Sequence, residues 1–159
     1  MATLPIKKLP NRILRKKADA VRKVTDAERK ILDDMAETMY LASGVGLAAP
    51  QVGIDKQLAV IDVGKGLVRM INPCIVKREG RACEEEGCLS VPDVSVKVKR
   101  SAKVVVEFMN DDGEVLRVQA GGLFARAIQH EIDHLEGKLI VDYLSPIRKL
   151  LLKKKVKKG

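Results

Sequence analysis

A chain of 159 residues has the size of one ordinary folding unit and is long enough to bury a core. Its 46% apolar and 32% charged residues argue against a disordered chain, and no stretch reaches the roughly 18 consecutive apolar residues of a membrane span. The net charge of +9 is uneven, because Arg148–Gly159 carries seven basic side chains and no acidic one, leaving the body close to neutral.

The N-terminal MATLPIKKLPNRILRKKADAVRKV is basic but has no apolar block suited to a signal peptide. Pro5 and Pro10 also argue against the amphipathic helix of a transit peptide, so a cytoplasmic chain without a membrane partner is expected. Cys74, Cys83 and Cys88 are odd in number, which favours reduced thiols; Cys74 and Cys83 are expected to be packing residues.

The first helix is expected over Asp26–Ala42. Thr25 and Glu28 form a capping box, and Ile31, Leu32, Met35, Met39 and Ala42 recur at helical spacing. GVGLAAPQVG then reads as a loop rich in small residues. Strands are expected at Gln57–Val63, Val68–Asn72, Ile75–Arg78, Val94–Lys99, Lys103–Met109 and Glu114–Gln119, the last two joined by an Asn110–Gly113 turn. A mostly buried second helix follows over Leu123–Glu136, with Gly137 closing it and Arg126, Gln129, Asp133 and Glu136 on a narrow polar stripe. Arg126 is expected on a solvated face, and Asp133 as either a partner of the site or plain surface. Ser145-Pro146 opens a basic C-terminal helix. The order implies one α+β domain over 1–159: mainly antiparallel sheet around the buried second helix, an N-terminal helix, and a basic helix at 148–159.

The only two histidines, His130 and His134, lie four apart in His130-Glu131-Ile132-Asp133-His134. On a helix both imidazoles can reach one metal ion and Glu131, one residue round, can address a water on it, although a pattern of three fixed positions also arises by chance in helices. A hydrolytic site takes three protein ligands and leaves a position for water. No histidine follows His134, and Asp142 is the only carboxylate after Glu136. A thiolate from upstream is therefore the best third candidate, which directs attention to Glu86-Gly87-Cys88-Leu89-Ser90.

GVGLAAPQ at Gly44–Gln51, EGCLS at Glu86–Ser90 and QHEIDHLEG at Gln129–Gly137 together resemble the three signature motifs of the peptide deformylases, in the family's order. The resemblance implies removal of the N-formyl group from the initiator methionine of new polypeptides, with release of formate. It implies Cys88, His130 and His134 as metal ligands and Glu131 as general acid/base to a metal-activated water. Gln51, through its amide, and Leu89, through its N–H, would stabilise the oxyanion. Gly44, Val45 and Gly46 would pair with an extended peptide, and Arg100 would help position it. Fe(II) is the implied ion, with Zn(II), Ni(II) or Co(II) compatible with the ligands. The implied partners are formylmethionyl nascent peptides and, through the basic tail, the ribosome; the chain is expected to act as a monomer.

Two other readings compete. A zinc endoprotease would use the same helix but lacks the downstream ligand. A structural metal module binding nucleic acid would need a fourth protein ligand.

Overall fold

The computed structural model describes residues 2–158, and side chains as far as Lys155. Met1, Gly159 and the side chains of 156–158, all within the expected single unit and the last within the basic tail, lie outside the described residues. Helix α1 spans Asp26–Leu41, and both hydrogen bonds of the Thr25–Glu28 capping box are present. Leu32, Met35, Ala36 and Met39 lie on its buried face, the i, i+3, i+4, i+7 pattern of a helix laid on a core.

Seven strands follow: β1 (Gly46–Ala48), β2 (Leu58–Ile61), β3 (Val68–Glu79), β4 (Ala82–Cys88), β5 (Val91–Arg100), β6 (Lys103–Met109) and β7 (Val115–Gly121). All their pairings are antiparallel. One sheet has the order β1-β2-β3-β6-β7, and β4 and β5 form a separate hairpin. Helix α2 (Gly122–Leu135) follows β7 directly, and α3 (Pro146–Lys158) begins where the Ser145 hydroxyl accepts from Arg148 N–H. The expected α+β class is observed.

Three details differ from the sequence reading. The segments 68–72 and 75–78 are one strand, with register shifts around Asn72-Pro73. Pro73 cannot donate to the ladder, and Asn72 sits at φ 52 while its amide clasps the backbone of Val21. The acidic ACEEEGC segment is a strand although its glutamates disfavour one, because β5 pairs along its length. The small-residue loop contributes β1, an edge strand.

Helix α2 touches both sheet systems. Ala125, Ala127 and Ile128 pack with Ile61, Met70, Val106 and Phe108 of the large sheet. Its end is fixed by Gly137 at φ 79, where a Cβ would lie 2.5 Å from the carbonyl oxygen of Arg15. Any larger residue there would push the N-terminal segment off the helix.

Candidate active site

The buried helix α2 carries His130, Glu131 and His134 beneath a cleft of about 390 Å³. Its other walls come from Ser43–Gly46, Gln51 and Glu85–Leu89. A register shift between Glu86 and Cys88 turns the end of β4 inward. Cys88 Sγ lies 3.3 Å from His134 Nε2, which lies 3.2 Å from His130 Nε2. One donor atom from each of the three residues falls within 4.8 Å of the others.

Electrostatics show what this cluster needs. Two imidazole nitrogens and a sulfur facing one another cannot all present lone pairs without a cation between them. Burial alone would lower the pKa of His130, but the charges of Glu131, Cys88 and Glu86 outweigh it and raise it to about 10. His134 is pushed well down, by burial first and by His130 second. The pocket thus draws one positive charge to its centre, and two nitrogens with a thiolate sulfur form a donor set suited to a divalent transition metal. The residues fit such an ion.

Glu131 is 3% exposed, and its Oε1 has no hydrogen-bond partner among the described residues. Burial, with Glu86 and Asp133 adding to it against His130 and Arg100, pushes its carboxyl up to about 7. Such a group can take and return a proton near neutrality. It occupies the space a side chain at residue 46 would need: a Cβ on Gly46 would stand 2.3 Å from Glu131 Oε2. Gly46→Ala is accordingly expected to displace Glu131 and to lower kcat/KM about 100-fold with metal content unchanged, as steady-state kinetics and metal analysis would reveal.

Gln51 is 2% exposed and held on both sides. Its Oε1 accepts from Ala48 N–H at 3.0 Å, and its Nε2 is 3.2 Å from Ser90 Oγ and 3.7 Å from Cys88 Sγ. The Ala48 donor fixes the amide orientation, so the NH₂ end faces the cleft. Just before β1, Val45 C=O accepts from Asp62 N–H. The next pair, Gly46 with Ile61, is then a non-hydrogen-bonded one, which directs the N–H and C=O of Gly46 to the open edge.

Several expectations are corrected. Arg126 is buried, not solvated: it donates to Glu86, to the Val98 carbonyl at 3.0 Å and to the Ala82 carbonyl at 2.8 Å. Gln129, on the same expected polar stripe, is also buried and clasps the backbone of Ser101. Both face the β4–β5 side of the molecule, whose backbone and Glu86 supply polar partners. Arg100 is not among the cleft residues; its guanidinium is spent on Glu86 at 2.8 and 2.9 Å, Asp133 at 2.6 Å and Tyr143 at 3.1 Å. Cys74 and Cys83 are exposed, not packed. Asp133 is drawn into the network, bonded to Arg100 and to Tyr143 at 2.6 Å.

Glu86 carries a role the sequence reading did not give it. One of its oxygens lies 2.9 Å from His130 Nδ1. That bond places the proton on Nδ1 and leaves Nε2 free to face Cys88 and His134. Burial would raise the Glu86 carboxyl, but His130 and Arg100 outweigh it and hold it at about 2. Among three consecutive glutamates only its place at the head of EGCLS sets Glu86 apart in the sequence; the hairpin pairing turns it toward His130.

The polypeptide deformylase family model matches residues 3–150. The chain belongs to the polypeptide deformylase family. A peptide deformylase of Thermodesulfovibrio yellowstonii is 45% identical over 99% of this chain and 98% of its own length. One from Caldanaerobacter subterraneus is 53% identical over 89% of each chain. Among solved structures, a peptide deformylase from Ehrlichia chaffeensis in complex with actinonin superposes with a TM-score of 0.96, at 37% identity over 99% of this chain and 98% of its own. That of Legionella pneumophila gives 0.93 at 42% identity, over 99% of this chain and 95% of its own.

Proposed function

We propose that Cys88, His130 and His134 hold one divalent metal in an enzyme that removes the N-formyl group from newly made polypeptides. Membership of the deformylase family establishes the activity. The observation that carries the site is the convergence of those three donor atoms beside the buried Glu131. When bound, the ion supplies Lewis-acid activation of a water and of the formyl carbonyl.

The protein's own part follows from the geometry. Gly46, with its backbone groups on an open strand edge, pairs with an extended peptide, and Gly44 and Val45 continue that edge beside the cleft. The peptide is thereby held with its formyl group over His130 and Glu131. Glu131 accepts the proton of the attacking water and delivers it to the departing amine nitrogen, so formate and a free amino terminus result. The Gln51 amide and the Leu89 N–H donate to the oxygen that gains negative charge. His130, held by Glu86, keeps its free nitrogen directed at the metal position.

The reading extends to Fe(II) as the native ion, with Zn(II), Ni(II) or Co(II) accepted by the same donors. It also takes residues 1–159 as one catalytic unit, working as a monomer in the cytoplasm; no described helix is long and apolar enough to cross a membrane. The test is formate release from a formyl-Met tripeptide by protein loaded anaerobically with Fe(II) or Ni(II). Release that stops on chelation and returns with metal is the expected result; none from a filled site would overturn the reading.

The basic tail supplies a second contact in this reading, to the ribosome. Deleting residues after Leu150 is expected to weaken ribosome co-sedimentation, most at low salt, while tripeptide turnover is spared. Unchanged ribosome affinity at low salt would refute the contact.

A further inference from the structure

Helix α2 has a second polar side. The cleft lies along Leu123, Arg126, Ala127, His130 and Glu131, whereas Gln129, Ile132 and Asp133 line another concavity. At 100° per residue the two sets point roughly a third of a turn apart. This second cup, about 240 Å³, presents Arg78, Lys99 and Lys138. A neighbouring cup of about 280 Å³, on β3, β6 and β7, shares Arg78 and adds Lys77 and Lys103.

These five cations outnumber the carboxylates of the two linings, Glu79 and Asp133. None of them forms an ion pair among the described residues; Glu79 stands opposite Lys103 in the strand register, and Lys138 Nζ lies 4.5 Å from the centre of the Tyr143 ring. Asp133, in one cup, is committed to Arg100 and Tyr143, which leaves Glu79, in the other, as the one lining carboxylate outside that network. Four of the five stand on paired β-strands or at their ends, so the backbone beneath them is held rigid. No large apolar side chain in either lining is exposed. A lipid surface would be met by inserted apolar groups; concave, polar, cationic cups match phosphate groups.

We propose that this face is an RNA-docking surface, separate from the C-terminal helix, which takes backbone phosphates into its two cups. Docking there leaves the catalytic cleft, on another side of α2, open to a peptide emerging from the same assembly.

The test is fluorescence anisotropy of a labelled RNA stem-loop with the full-length protein, its Arg78→Ala/Lys99→Ala variant and its Lys77→Ala/Lys103→Ala variant, across a salt series. Each pair is expected to weaken binding about tenfold and to flatten the slope of log affinity against log salt by about 1.5. Formate release from a tripeptide should stay within about twofold of the parent, which shows that the variants are folded and the cleft untouched. RNA affinity and slope that neither pair changes would overturn the proposal, because binding would then rest on the C-terminal helix. A parent that binds anionic phospholipid vesicles but no RNA would overturn it equally, assigning the cups to lipid headgroups.

Discussion

Replacing Glu131 by Gln lowers formate release by about 10²- to 10⁴-fold, the range of a lost general acid/base, and leaves metal content at one equivalent. Glutamine matches the shape of the side chain, and so keeps its packing against Gly46, but cannot carry a proton between water and amine. Two observations make this the most sensitive single atom exchange in the cleft. The carboxyl is buried with one oxygen unpartnered among the described residues, and burial raises its pKa to about 7. An unpaired acceptor in so dry a place is costly unless something uses it. Activity within tenfold of the parent would move proton handling elsewhere, and metal loss in the variant would make Glu131 part of the holding site.

The second large effect is expected outside the cleft chemistry. Glu86→Gln removes the negative charge that Arg100, Arg126 and His130 share. Their side chains are at most 12% exposed, so the cations cannot turn to water. Breaking a buried pair from one side costs about 3–5 kcal/mol; here Arg126 loses its only carboxylate among the described residues, while Arg100 keeps Asp133. His130 also loses the carboxylate that fixes its tautomer, a change that weakens metal binding about 10- to 100-fold. Urea unfolding and competition with a chelator measure the two losses separately. A variant with the parent's unfolding midpoint and metal affinity would reduce Glu86 to a bystander.

Much of the catalytic arrangement is local in the sequence. The i, i+4 spacing of His130 and His134, the capping box of α1, the Asn110–Gly113 turn and the left-handed Gly137 are short-range patterns, and each lies where such a pattern puts it. The α+β class follows from the order of those elements. What escapes a linear reading depends on partners distant in the chain. Arg126 looks like surface until Glu86, forty residues earlier, is beside it. Arg100 resembles a peptide-positioning arginine in sequence, yet its guanidinium is bonded to Glu86, Asp133 and Tyr143. The exposed Cys74 and Cys83 carry no signal that separates them from buried thiols. β4, with its three glutamates, has no intrinsic strand signal; it becomes one by pairing with β5.

The central claim, that Cys88, His130 and His134 together hold one catalytic metal, is tested most directly by anaerobic Co(II) titration of metal-free protein, followed by absorption spectroscopy, beside Cys88→Ala. The account predicts saturation at one equivalent per chain, with a thiolate-to-cobalt charge-transfer band and the strong visible bands of a four-coordinate ion. It predicts loss of the charge-transfer band and much weaker binding in Cys88→Ala. The same stoichiometry, affinity and spectrum in the variant would contradict it and place the metal on other ligands.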